Sequence, residues 1–489
     1  MEDCIMSNVS TGKASERIAA LLDEQSFVEI GSYITARSTD FNLADKATPA
    51  DGVVTGYGTV DGNLVYVYSQ DASVLGGSMG EMHAKKISAL YALAMKVGAP
   101  VVGLIDCAGL RLQEGTDALA AFGGLYKSQA DASGVIPQIT AVFGACGGGM
   151  ALVPALTDFT FMDGSKAKLF VNSPNTLDEN TKDKCDTSSA EFQSTKAGSV
   201  DVVGTEAEIL GSIRTLISVL PANNEDDLSY EECTDDLNRV CEGIEACAGD
   251  TSVALSMISD NGFFFETKRA YAKEMVTGFI RLNGNTVGAI ANRSELVDDE
   301  GNVAETYDAY LTSEGCSKAA KFVSFCDAFN IPVLTLTNIK GFKADKCLER
   351  RVASSAAKMV YAFAGATVPK VNVVVGQAFG SAYVAMNSKS IGADIVYAWP
   401  EASIGMMDAK SAARIMYAEE IEKAENGGTL LREKAAEYAS LQESAVAAAK
   451  RGYVDNIIDA KDTRKYVIGA LEMLYTKRED SPAKKHGTV

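Results

Sequence analysis

Two stretches of this 489-residue chain offer backbone rather than side chains as their chemistry. One runs Ile136-Pro137-Gln138-Ile139-Thr140-Ala141-Val142-Phe143-Gly144-Ala145-Cys146-Gly147-Gly148-Gly149-Met150-Ala151. The other, 232 positions later, runs Val368-Pro369-Lys370-Val371-Asn372-Val373-Val374-Val375-Gly376-Gln377-Ala378-Phe379-Gly380-Ser381-Ala382-Tyr383. In each, a β-branched run enters a glycine-dense turn and then small helix-forming residues, the pattern of a buried strand whose end brings backbone close to a ligand. Small residues at a helix N-terminus leave N–H groups free to face an oxygen that becomes negative, and the helix dipole adds to the attraction. Such a donor is worth about 3 kcal/mol in a transition state. Two turns could hold two developing oxyanions, as in transfer of a carboxyl group between a thioester enolate and a urea-like carrier.

Side-chain chemistries have little support. Histidine is limited to His83 and His486. Gly76-Gly77-Ser78-Met79-Gly80 satisfies the Gly-x-Ser-x-Gly nucleophile pattern, yet it follows a polar loop, His83 lies too near on the same helix to be its base, and His486 is in the tail. Zinc held by histidine pairs fails on the same count. The ten cysteines include no Cys-x-x-Cys pair, and Cys233, Cys241 and Cys247 suit neither a zinc ribbon nor a finger, so buried free thiols are expected and no metal site. Cys107 and Cys146 flank glycine turns but have no histidine partner. The strict Gly-x-Gly-x-x-Gly dinucleotide spacing and a Walker A sequence are both absent.

The elements that must position the two turns also come twice. Ile87, Leu90, Tyr91 and Ala94 have the spacing of an amphipathic helix face, and Ala319, Phe322, Val323 and Cys326 repeat it at the same offset. Pro100, Val102, Leu104, Asp106 and Gly109 match Pro332, Leu334, Leu336, Asn338 and Gly341. A looser echo precedes these: Val54-Thr55-Gly56 through Asp61-Gly62-Asn63 against Val276-Thr277-Gly278 through Asn283-Gly284-Asn285. Asp61-Gly62-Asn63 joins two strands over Val53 to Ser69 as a hairpin. A helix over Ser15 to Gln25, a polar excursion from Asn172 to Gly204, an inserted segment from Asp298 to Tyr310 and a strand over Asp394 to Trp399 complete the α/β alternation. Met416 to Arg451 reads as helix broken at Asn426-Gly427-Gly428, the last helix follows the capping pair Asp462-Thr463, and the tail from Ser481 to Val489 should fray. Internal duplication therefore predicts two similar domains, 1–245 and 246–489, with the acidic stretch Pro221 to Gly243 as linker.

The net charge of −20 argues against a nucleic-acid or anionic-membrane partner. No apolar run approaches a membrane span, and the Met-Glu-Asp-Cys start lacks a leader pattern, so a cytoplasmic protein is expected.

At this point the residues reach a known family. The chain resembles the carboxyltransferase β subunit of biotin-dependent acyl-CoA carboxylases, decarboxylases and transcarboxylases, the propionyl-CoA and methylmalonyl-CoA group in particular. The resemblance rests on Asp51-Gly52-Val53-Val54-Thr55-Gly56-Tyr57-Gly58, Ser69-Gln70-Asp71, Gly76 through Lys86, Arg111-Leu112-Gln113-Glu114-Gly115 and Gly134 through Asp158. In the second half it rests on Phe325 through Pro332, Ala398-Trp399-Pro400, Arg451-Gly452-Tyr453-Val454-Asp455 and Asp462-Thr463-Arg464. It implies two crotonase-like domains, each a ββα superhelix, in a homo-oligomer, usually a hexamer built as a trimer of dimers, with the N-domain of one subunit facing the C-domain of another. Carried over by position, it implies one oxyanion hole at Gly148 and Gly149, toward the biotin ureido oxygen, and another at Ser381 and Ala382, toward the acyl thioester. Substrate and biotin would be bound by Gly76, Gly77, Ser78, Ala108, Gly109, Phe379, Gly380, Tyr383 and Val384. In that mechanism the biotin nitrogen removes the α-proton, which suits a chain almost free of histidine. The family's Met-Lys-Met biotinylation motif is missing, so biotin should arrive on a biotin carboxyl carrier protein, alongside biotin carboxylase or the subunits of a membrane decarboxylase.

The departures lie mainly in the second half. A usual Asp-Val-Pro-Gly-Phe-Leu-Pro-Gly is Asn338-Ile339-Lys340-Gly341-Phe342-Lys343-Ala344-Asp345, and a usual Arg-Lys-Ala-Tyr-Gly-Gly-Ala-Tyr is Gly376 through Tyr383, with a side chain at Ser381 where glycine lets ligand approach. In the first half a usual Gly-Gly-Ala with a following His is Ser188-Ser189-Ala190 with Gln193. Three functions remain open: a biotin-dependent carboxyltransferase acting on an acyl-CoA of the propionyl- or methylmalonyl-CoA kind, a biotin-independent crotonase-type acyl-CoA enzyme, and a non-catalytic assembly subunit.

Overall fold

The computed structural model describes residues 12–178, 185–226, 230–298 and 300–479; the chain divides into two compact units, 1–229 and 230–489. The first is built on a sheet of β1 (Val28–Glu29), β2 (Val53–Val60), β3 (Asn63–Gln70), β4 (Val101–Cys107), β5 (Gln138–Gly147), β6 (Phe159–Asp163), β7 (Lys168–Phe170) and β8 (Val202–Gly204). Its order is β1-β2-β3-β4-β5-β6-β8, with β7 also pairing with β5. The second unit repeats this with β9 (Phe264–Thr267), β10 (Met275–Leu282), β11 (Asn285–Asn292), β12 (Val333–Ile339), β13 (Lys370–Phe379), β14 (Ile395–Ala398), β15 (Ser403–Gly405) and β16 (Asn456–Ile457). The order is β9-β10-β11-β12-β13-β14-β16, with β15 on β13. Each sheet opens with antiparallel strands and continues with parallel ones. Two duplicated crotonase-like α/β domains are therefore the architecture.

Both hairpins close as their turn residues require. Val60 pairs with Asn63 across Asp61 and Gly62, whose φ angles are 49° and 82°; Leu282 pairs with Asn285 across Asn283 and Gly284, at 52° and 75°. Helices α1 (Glu81–Val97), α2 (Gly115–Ala132), α3 (Ser313–Ala328) and α4 (Val352–Gly365) connect the parallel strands. The two apolar stripes read from sequence, Ile87 to Ala94 on α1 and Ala319 to Cys326 on α3, are the buried faces. α1 ends where Gly98, at φ 71°, turns its N–H back to the Ala94 carbonyl.

Several boundaries differ from expectation. The division at 229 precedes the expected 245/246, because only the later part of the acidic stretch, from Tyr230, packs on the second unit, while Asn223 and Asn224 bond the Gly98 and Val135 carbonyls of the first. In the second unit the Arg239 guanidinium is bonded to the Asp235 carboxylate, which is its counterion, and the Arg464 guanidinium to the Asp236 backbone carbonyl. The excursion after Asn172 returns to the sheet as β8, after a helix Ala190–Thr195 capped by the Ser189 hydroxyl. Asp462 makes no side-chain cap; Thr463 instead donates to the Ala460 carbonyl and accepts from the Trp399 indole. The tail from Ser481 and His486 lie outside the described residues.

Candidate active site at two glycine turns

In the first unit β5 ends at Gly147, and Gly148 turns the chain with φ 62° into the short helical segment Gly148–Ala151 and Leu152–Ala155. That torsion favours glycine. A Cβ on Gly148 would meet nothing within 4 Å, so this side of the turn is open. The first N–H groups of such a segment have no acceptor within it. A Cβ on Gly147 would strike the Phe170 ring at 2.8 Å, and one on Gly149 would lie 2.9 Å from the Tyr126 hydroxyl.

The loop at Gly76, Gly77 and Ser78 is brought to this turn by a short parallel pairing, Ser78 with Gly109 and Met79 with Leu110. Gly77, at φ 70°, passes so near β4 that a Cβ would sit 2.6 Å from the Asp106 carbonyl; a Cβ on Gly109 would be 3.4 Å from the Gly147 carbonyl. Ala108 is exposed and Gly76 faces open space. Beneath the loop is a cluster that sequence reasoning missed. Arg111 donates to Asp51 at 2.6 Å, to Glu114 at 2.7 Å and to the Ser78 carbonyl at 2.9 Å, all three ionic side chains being buried. Glu114 accepts the Glu81 N–H, and Asp51 accepts the His83 N–H.

No side chain here is poised as a nucleophile. Ser78 donates to the Leu75 carbonyl, while the His83 ring lies between the Asp51 carbonyl and the Gln70 amide, pulled down to about 3 by burial and by the nearby Arg111 and Lys86 charges. Cys107 and Cys146 are opposite each other on β4 and β5. Burial pushes the Cys107 thiol up to about 11 and raises the Cys146 thiol well above its ordinary value, so both stay protonated. Asp158, the nearest acid after the turn, accepts the Gln138 N–H and belongs to the sheet.

The second unit turns the same corner. β13 ends at Phe379, Gly380 takes φ 63°, and the helix Gly380–Ala385 begins. Ser381 does not require a left-handed backbone and its side chain is exposed, so the residue that replaces glycine is accommodated without strain. Ala382 and Tyr383 are buried and Val384 is 37% exposed. By the offset, Gly148 falls on Gly380 and Gly149 on Ser381; the pairs Gly148/Gly149 and Ser381/Ala382 are thus one step out of register.

The other departures have structural partners. Asn338 accepts the Gln377 N–H at 3.0 Å and donates to the Ala248 carbonyl at 2.9 Å, while Asp106 at the matching position bonds Arg17. Gln193 donates to the carbonyls of Leu169 and Thr187, bracing β7 beside the first turn. Asp345 caps the helix Lys346–Glu349. Among the described residues there is no cluster of three or more metal-ligating side chains, and no helix is long and apolar enough to cross a membrane.

A fold made twice, with a left-handed glycine opening a helix at the end of the long strand in each copy, is the fold of the crotonase-like carboxyltransferases. The chain belongs to the carboxyl transferase domain family, whose model matches residues 10–489, and it is a carboxyltransferase subunit. It is 39% identical over 488 residues to the methylmalonyl-CoA decarboxylase subunit alpha of Propionigenium modestum, covering 97% of this chain and 92% of that one. It is 39% identical over 503 residues to the propionyl-CoA carboxylase carboxyltransferase subunit of Haloferax mediterranei, covering 100% and 95%. Among solved structures it superposes on a chain of transcarboxylase 12S, solved as a hexamer with methylmalonyl-CoA bound, with a TM-score of 0.90 at 37% identity over 97% of this chain and 91% of that one.

Proposed function

We propose that this subunit moves a carboxyl group between biotin on a separate carrier protein and a small acyl-CoA such as propionyl- or methylmalonyl-CoA. The repeated turn carries this reading: a glycine near +60° opens a helix at the end of the long strand in both units. A donor set made of backbone amides, beside the open space at Gly148, suits a carbonyl oxygen that becomes negative during reaction. Biotin, when bound, supplies the carboxyl group and the ring nitrogen that exchanges it for a proton.

The residues of this chain bind and polarise. Gly148 and Gly149 would face the ureido oxygen, walled by Gly76, Gly77, Ser78, Ala108 and Gly109. Ser381 and Ala382 would face the thioester oxygen, walled by Phe379, Gly380, Tyr383 and Val384. Burial raises Tyr383 to about 12, so it presents a neutral phenol. The relative solved as a hexamer supports a homo-oligomer. The partners would be a biotin carboxyl carrier protein with biotin carboxylase or membrane decarboxylase subunits, working from the cytoplasm.

The test incubates the purified chain with a biotinylated carrier and malonyl-, methylmalonyl- or glutaconyl-CoA. Decarboxylation that requires biotin is expected. Biotin-independent turnover would point to a crotonase-type enzyme, and carrier binding without turnover to an assembly subunit.

A further inference from the structure

Gly148-Gly149 is the least restrained dipeptide a turn can contain, because neither residue has a Cβ to confine φ and ψ. Yet an amide that stabilises a charge must already be aimed when the charge forms. A glycine pair used in this way needs a restraint from outside the turn, and Tyr126 supplies one. It stands on α2, half-buried, edge-on to Phe122 with ring centroids 5.5 Å apart. Its hydroxyl donates to the Gly149 carbonyl over 2.6 Å. The same carbonyl accepts the Leu152 N–H, so the peptide leaving Gly149 is held from two sides. Burial raises the phenol's pKa, which keeps it a donor.

We propose that Tyr126 is a positioning residue for carboxyl transfer: its hydroxyl clamps the Gly149–Met150 peptide plane, which limits ψ at Gly149 and so the freedom of the adjoining peptide that carries the Gly149 N–H toward the open side. The clamp rests on the reading of Gly148 and Gly149 as an oxyanion pocket. It also accounts for glycine at 149, where a Cβ would come within 2.9 Å of the hydroxyl oxygen. The second turn is restrained otherwise. Among the described residues no side chain donates to the Ser381 carbonyl, and the Cβ of Ser381 confines its own backbone. One turn therefore combines a bare glycine with a clamp, and the other combines a side chain with none.

The experiment uses the full chain in the carrier-dependent assay. Tyr126→Phe keeps the ring packing and is expected to lower kcat about tenfold, the scale of one lost hydrogen bond, with KM for the acyl-CoA within about twofold. Gly149→Ala should cost more because its methyl meets the hydroxyl. Adding Tyr126→Phe to Gly149→Ala should recover activity above that of Gly149→Ala alone, since the obstructing oxygen is gone. A merely structural tyrosine would lower the melting temperature with kcat unchanged, and its loss would add to that of Gly149→Ala; either result overturns the clamp. Gly149→Val separates the two claims. If it retains full activity, the pocket assignment fails; if it abolishes turnover while Tyr126→Phe leaves kcat intact, only the clamp fails.

Discussion

The strands ending at Gly147 and at Phe379 turn the same corner, and what they share and do not share divides by residue. Both put glycine first, at φ 62° and 63°, because the backbone there is left-handed. At the next position one has Gly149 beneath a tyrosine hydroxyl and the other has exposed Ser381. A torsion fixed by the turn is kept in both copies; a vacancy imposed by a neighbour is kept only where that neighbour stands. The same contrast holds below the turns. Arg111 sits among buried Asp51 and Glu114, whereas Lys343 at the matching position reaches Asp308 over 3.6 Å at the surface.

That second contrast gives the largest expected effect. Arg111→Met should cost about 3–5 kcal/mol, because it strands two buried carboxylates, while Lys343→Met should cost under about 1 kcal/mol. Equal shifts in denaturant unfolding would end the distinction. At the turns, Gly149→Val should lower carboxyl transfer on the order of a hundredfold or more, and Ser381→Ala by no more than about twofold, as for an exposed truncation. The comparison sharpens one layer down. A methyl on Gly144 would overlap the Asp106 carboxylate, and one on Gly376 would lie 2.6 Å from the Asn338 amide oxygen. Each alanine variant should lose about 1–3 kcal/mol by overpacking, the first more than the second; the reverse order in thermal unfolding would show that Asp106 yields more readily than Asn338.

The smallest effect depends on pH. Lys86 and Lys318, again at the same offset, are buried and donate to backbone carbonyls, to Ala50 and Val53 in one unit and Lys268 and Tyr271 in the other. Burial pulls Lys86 down to about 8 and Lys318 to about 7. An unfolded lysine holds its proton to about pH 10, so above these values the unfolded chain binds more protons and stability rises with pH. The melting temperature of the wild type relative to Lys318→Met should therefore climb from about pH 7 upward, and relative to Lys86→Met only from about pH 8. A flat difference across that range would mean that both amines remain charged when folded.

Much of this was legible in the residues. The offset between Ile87 and Ala319, Pro100 and Pro332, and Gly148 and Gly380 required one topology used twice, and both sheets have one strand order. The hairpin at Asp61-Gly62 was legible because few residue pairs adopt its torsions. The acidic stretch before Gly243 was read as a linker because nothing local shows that Arg464, more than two hundred residues on, is bonded to the Asp236 carbonyl. Asp462-Thr463 looked like a cap, but Thr463 binds the Trp399 indole and Asp462 makes no cap.

By itself the sequence determined where the chain is duplicated, which glycines open the turns and how scarce histidine is, since these depend on local torsion and composition. Only the tertiary structure decided that Tyr126 rather than a nearer residue holds Gly149, that His83 is a buried neutral ring, and that Ser381 stands free. Those outcomes depend on which side chains distant segments press together, and burial and hydrogen bonding act on spatial neighbours whatever their separation along the chain.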